Sequence, residues 1–284
     1  MVFQIVVIYI YIYFFERFGK SLHLFMNSFY IKLLIMPTVV ALVTIVSKKW
    51  GNSIGGILAG LPWVAGPIIL FIALEQGLDF AVNSIPGVMV GIIGWSFFCV
   101  VYVLVGRRYN ALVSVLAGYL AYTLVGVLLN PAIDYLNVYQ WFALSLLVLF
   151  LGLFFFPKVP VQHSFSVKKL KFEIPLRMII ITFFVITITF LAERLGPTWS
   201  GILTPFPVMT TVLAIFTHYT QGIYQVRKVY MGLFTGSLGF AFFLFLQAVL
   251  MPSYGITMAF VIGILVDIVL TIAMKFVFSK YKLI

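Results

Sequence analysis

GNSIGGILAGLPWVAGPIILFIALEQG, residues 51–77, is long and apolar enough to cross a bilayer, yet Gly55, Gly56, Gly60, Pro62, Gly66 and Pro67 punctuate its first two-thirds. Glycine and proline weaken or break a helix, so the segment reads as an interrupted span. The pattern returns at residues 196–222, GPTWSGILTPFPVMTTVLAIFTHYTQG. Gly56, Ile57, Leu58 and Pro62 match Gly201, Ile202, Leu203 and Pro207, and Gln76-Gly77 match Gln221-Gly222, all at one ungapped offset of 145 residues. Paired interrupted hydrophobic segments at corresponding places in two halves are a sequence pointer to a transporter's binding site.

The same offset runs on downstream. Gly87, Gly91, Gly94, Phe97 and Phe98 match Gly232, Gly236, Gly239, Phe242 and Phe243, then Tyr109 matches Tyr254 and Gly118 matches Gly263. Upstream, Lys32 matches Arg177 in charge. A fixed register over several apolar runs indicates an internal duplication. The repeated glycines read as a helix-packing stripe.

Composition sets the solvent. With 63% hydrophobic and 9% charged residues and a mean hydropathy of +1.18, the chain has more apolar surface than a soluble fold of 284 residues can hide. Apolar runs fall at about 30–46, 54–74, 85–105, 111–129, 138–156, 176–192, 201–219, 230–250 and 256–278, with a doubtful further one at 1–15. Backbone polar groups in lipid must be satisfied within the element, which makes these runs helices. The expected fold is an all-α polytopic membrane protein of nine to ten transmembrane helices. Residues 1–29 form a short apolar segment and loop, 30–137 the first repeat, 138–174 a linking span with a basic loop, and 175–284 the second repeat. Fifteen helical residues at the N-terminus reach only about 22 Å against a core of roughly 30 Å, so 1–15 is either a short span or an interfacial helix. It has no basic n-region or cleavage site, so no removable signal peptide is expected.

The net charge of +11 does not point to nucleic acid, because the basic residues cluster at the ends of apolar runs, as the positive-inside rule requires. Lys48-Lys49 stand opposite Glu193-Arg194, and Glu75 with Asp79 opposite His218, Arg227 and Lys228. Arg107-Arg108 stand opposite Pro252-Ser253, and Asp134 opposite Lys275, Lys280 and Lys282. The basic member alternates between halves, so the two repeats are expected to lie inverted, with the C-terminus and the loop 157–177 cytoplasmic. The basic loop 16–29 falls outside that pattern. High Phe, Ile and Leu fit a bacterial inner membrane.

Around SKKWGNSIGGILAGLPWVAGPIILFIALEQG the chain resembles the small bacterial GlpM-type membrane proteins: a lysine early in one span, an SKK turn, then a Gly-Leu-Pro-containing span. The shared features are Lys32, Lys48, Lys49, Gly60, Leu61 and Pro62, followed in the second copy by Arg177, Pro205, Phe206 and Pro207. Glu193-Arg194 depart from the SKK pattern. The resemblance implies a two-repeat membrane protein and no particular substrate. The five-plus-five layout is also similar to the drug/metabolite transporter superfamily in architecture.

Within this frame the candidate substrate-binding residues are Gly56, Gly60, Pro62, Trp63, Gly201, Thr204, Pro205, Pro207, Thr210 and Thr211, with Lys32 and Arg177 as cations for an anionic solute or lipid phosphate. The two cations also suit simple interfacial anchoring. The threonine hydroxyls can either heal a proline-broken helix or contact substrate. Trp63 and Trp199 can line a cavity or anchor at the interface. Asp267, in VIGILVDIVLTIAM, places a carboxyl near the middle of the last span, where its charge costs a few kcal/mol; it is the candidate proton-coupling residue. Glu75 and His218, near the ends of the broken spans, are candidate gate or relay groups.

Cys99 stands alone, so neither an intrachain disulfide nor a Cys-based metal site is expected. There is no HExxH, GxxxxGK[ST] or G-x-S-x-G pattern, and His23, His163 and His218 lie far apart; no enzyme activity, metal or cofactor is expected. The leading expectation is gradient-driven, alternating-access transport of a small anionic or amphipathic solute, with membrane lipids and that solute as partners. The alternatives are a lipid or lipid-linked intermediate flippase and a non-transport assembly partner.

Overall fold

The computed structural model describes residues 59–160 and 172–280 together with Tyr30, Leu33, Leu34, Pro37, Thr38, Ala41, Ile45 and Ile57; of Glu173, Arg177 and residues 278–280 it describes the backbone only. Among these residues the structure is helical, with no strand. The elements are α1 (Ala65–Glu75), α2 (Leu78–Gly106), α3 (Ala111–Leu129), a 3-10 turn (Asn130–Tyr135), α4 (Val138–Phe155), α5 (Glu173–Leu203), α6 (Val208–Gln221) and α7 (Ile223–Lys280). Among the described residues, five helices are long and apolar enough to cross a membrane, at Leu78–Gly106, Ala111–Tyr135, Val138–Phe155, Ile174–Leu203 and Ile223–Val277.

Short signals set the boundaries. The Asn110 side chain accepts from Val113 N at 3.1 Å and opens α3. Asn137 and Gln140 form a reciprocal capping box at the start of α4. Gly77 (φ 96) and Gly222 (φ 83) link α1 to α2 and α6 to α7 in a conformation that only glycine adopts cheaply.

α5 and α7 are each turned by a glycine, Gly196 (φ 72) and Gly255 (φ 74). Gln247 Nε2 donates to Ala259 O at 3.1 Å, whereas twelve residues of straight helix would hold them about 18 Å apart. The chain therefore folds back at Gly255. Likewise Ser200 Oγ donates to Ala192 O at 3.3 Å, across a turn at Gly196. The apolar runs at 230–250 and 256–278 are thus two limbs of one helical stretch, and the run at 201–219 is interrupted at 204–207.

α2 is the central element and packs against α1, α3, α4, α5 and α7. α3 shows what surrounds the bundle. Its inner face carries Ser114, Gly118, Tyr122 and Gly126, while Leu112, Leu116, Leu120, Leu124 and Leu128 are exposed. Small and polar residues face inward and a leucine stripe faces outward, the arrangement of a helix whose outer solvent is lipid. The molecule is built as an integral membrane protein.

Contacts between elements recur at the 145-residue offset. A Cβ at Gly60 would lie 2.6 Å from Leu233 O, and one at Gly236 would strike Ile57 O. At the equivalent places a Cβ at Gly91 would lie 2.5 Å from Ile202 O and strike Pro205. Gly118 faces Phe98 as Gly263 faces Phe243, and Gly94 faces Tyr122 as Gly239 faces Asp267. The repeated glycines are close-approach points, as the stripe implied.

Candidate functional site

The second break shows how a proline-interrupted helix keeps its polar groups satisfied. Pro205 cannot donate to Gly201 O and Pro207 cannot donate to Leu203 O. Thr204 N supplies Gly201 O at 3.0 Å, and Phe206 N supplies Leu203 O at 3.0 Å. Phe206 N is thereby withdrawn from Ile202 O, which accepts instead from the Tyr122 hydroxyl of α3. Thr204 Oγ1 donates to Ser200 O at 2.7 Å. This hydroxyl heals the helix, one of the two roles left open by the sequence.

Both breaks then make the same turn. Val208 N donates to Phe206 O at 2.7 Å around Pro207 (φ −74, ψ 46), close to an inverse γ-turn. Trp63 N donates to Leu61 O at 2.7 Å around Pro62. The helix resumes through Thr211 N to Pro207 O at 2.8 Å and Gly66 N to Pro62 O at 3.0 Å. Each proline also accepts the first bond of the following helix.

The two turns meet across one cavity of about 70 Å³. Ala59, Gly60, Leu61, Val64 and Ala65 line it from the first break, and Thr204, Pro205, Phe206, Met209 and Thr210 from the second; each residue of one set is the 145-residue partner of one in the other. Ile92 and Trp95 of α2 pair in the same way with Ser237 and Phe240 of α7, and Leu233 completes the wall. Trp95 Nε1 donates to Thr210 Oγ1 at 2.9 Å, fixing one side. The remaining side-chain polar groups are the hydroxyls of Thr204 and Ser237, and no formal charge lines the cavity among the described residues. Small-molecule pockets usually measure roughly 300–1,000 Å³, whereas this space suits a few waters or one small ion.

Of the residues singled out in the sequence, Gly60, Thr204, Pro205 and Thr210 reach the cavity. Pro62 and Pro207 centre the turns, and Gly201 lets α5 close on Ser84 and Val88 of α2. Thr211 is buried beside the wall, and Trp63 is half-buried. Trp199, 37% exposed, faces outward. Lys32 and Gly56 lie outside the described residues, as does the Arg177 side chain. Glu75 closes α1. His218, in the last turn of α6, has Nδ1 3.3 Å from Tyr102 Oη.

Asp267 stands off the cavity, fully buried behind Gly239. Thr271 Oγ1 donates to its Oδ1 at 3.4 Å, and Oδ2 has no partner among the described residues. Tyr122, at the equivalent position, pins the second break through Ile202 O; a carboxyl is too short to copy that reach.

Trp95, Ser237, Ile92 and Phe240 were not anticipated as lining residues. Their signal was available: they flank the duplicated glycines, and 92 with 237 and 95 with 240 share the 145-residue register. No family model, curated protein or solved structure matches the chain.

Proposed function

We propose that the chain is a gradient-driven carrier of a small solute, working by alternating access around the cavity between the two breaks, with its repeats inverted in the membrane. The observation that carries this reading is the residue-for-residue pairing of the cavity walls. A site between two equivalent halves can be opened by rocking either half, which is the logic of an inverted-repeat transporter.

The ends of the helices support the inversion. Gly106, at the end of α2, packs on His218 and Ile223, so the 107–110 turn and the start of α7 share one end of the bundle. Its equivalent, the turn at Gly255, lies at the other end of the limb that starts at Ile223. The cavity's volume favours a compact solute over a lipid headgroup, and Asp267 couples the cycle to protons, since an ionised carboxylate there would be buried and unpaired.

Cysteine accessibility tests this without knowledge of the solute. In a Cys99→Ser background, Ser237→Cys in the full-length protein in sealed liposomes is expected to react with a membrane-impermeant thiol reagent applied to either side. An imposed pH gradient should bias labelling toward one side, and Asp267→Asn should abolish the bias. Ser237→Cys that is unreactive from both sides would describe a sealed bundle and overturn the carrier. Bias that survives in Asp267→Asn would remove Asp267 from coupling.

A further inference from the structure

We infer that the rim where α2 and α4 end and α7 begins is a binding site for a phosphate-bearing anion, built on Arg107 and Arg227. Arg107 Nη2 donates to Lys158 O at 2.5 Å, and Arg227 Nε donates to Pro157 O at 2.9 Å. The two carbonyls belong to adjacent residues just past α4, so one short stretch of backbone tethers both guanidinium groups. Each tether uses one N–H of the five that a guanidinium carries. The remaining donors are arranged in planar forks that match phosphate oxygens.

The charge balance of the rim is one-sided. Arg108 and Lys158 are exposed beside the pair, and half-buried Lys228 lies 4.9 Å from the centroid of the Tyr224 ring. None of these five cations forms an ion pair with a carboxylate among the described residues. Arg227 is itself half-buried, so water compensates it less than it would a free surface arginine. Like charges gathered with no paired carboxylate among the described residues lack a partner that would offset their repulsion. A bound anion supplies it.

Depth selects the chemistry. The 29-residue apolar helix α2 ends at Gly106, so Arg107 stands where hydrocarbon gives way to headgroups. Basic pockets between helices at that level recognise anionic headgroups. A free phosphate-bearing solute offers the same oxygens, so the site is defined by the phosphate group. It lies at the end of the bundle, separate from the central cavity, and does not depend on the carrier reading.

The test is native mass spectrometry of the full-length protein in mild detergent, titrated separately with phosphatidylglycerol, phosphatidylcholine and inorganic phosphate. Wild type is expected to take up phosphatidylglycerol in preference to phosphatidylcholine. Arg107→Gln/Arg227→Gln should lower phosphatidylglycerol affinity about tenfold, the loss expected for charge-assisted phosphate bonds, while Lys275→Gln leaves it unchanged. Inorganic phosphate bound by wild type and lost in the double variant, without lipid preference, would assign the same site to a soluble anion. Equal binding of all three probes by wild type and a monodisperse double variant overturns the site. If the double variant does not stay monodisperse, Arg227→Lys decides. It keeps the charge but loses the fork, so weaker binding of the phosphate probe supports the site and unchanged binding overturns it.

Discussion

Tyr122 contributes a single hydroxyl, yet that hydroxyl closes the Ile202 carbonyl of the second break, which the local backbone leaves open. Tyr122→Phe keeps the ring against Phe206, whose centroid lies 5.2 Å away, and strands Ile202 O in a dry interior. An unsatisfied buried acceptor costs about 1–3 kcal/mol. Thermal unfolding of the detergent-solubilised protein should show a loss of that size, and an unchanged Tm would mean the bond contributes nothing. Gly91 makes a complementary case. Even one methyl there meets Pro205 and Ile202 O, the latter at 2.5 Å, and overpacking of this kind costs about 1–3 kcal/mol. Gly91→Ala should therefore destabilise the protein, whereas Gly126→Ala, whose new methyl meets only Ile202 Cγ2 at 3.3 Å, should be mild. Equal effects would deny the close approach.

The breaks behave as elements because proline acts twice in each of them. Missing N–H groups free carbonyls, and the fixed proline φ then suits the tight turn that re-aims the chain into α1 or α6. Pro207→Ala would let residue 207 donate to Leu203 O and favour a continuous helix from α5 into α6. The expected outcome is equal or greater thermal stability, together with reduced two-sided labelling of Ser237→Cys. Full labelling with a straightened helix would separate the break from access to the cavity. The interruption was legible in the sequence because glycine and proline act locally. The glycine stripe is local in the same sense. What closes the second break was not legible: Tyr122 and Trp95 lie far along the chain from the carbonyl and the hydroxyl they meet, and only tertiary packing brings them in. Thr204 could be read either as a healer or as a ligand, because both roles need the same hydroxyl at the same place.

Across the whole molecule, one offset organises contacts and cavity walls, and the proposed inversion of the halves is the step with a directly measurable consequence. Arg108 and Ser253 are equivalent positions. Arg108 follows the end of α2, beside the start of α7, while Ser253 comes two residues before the turn at Gly255, after roughly 45 Å of helix from Ile223. That length exceeds the roughly 30 Å hydrocarbon core. Helices that cross a bilayer must then present these two equivalents to opposite compartments. Both are exposed, and the native Cys99 is fully buried, so a Cys99→Ser background removes little. Single Arg108→Cys and Ser253→Cys variants should be labelled by an impermeant thiol reagent from opposite sides of oriented vesicles. Lys275→Cys, on the limb returning from Gly255, should label from the same side as Arg108→Cys. Labelling of Arg108→Cys and Ser253→Cys from one shared side would make the duplication parallel. It would also leave the paired cavity walls without the two-sided access that the carrier requires.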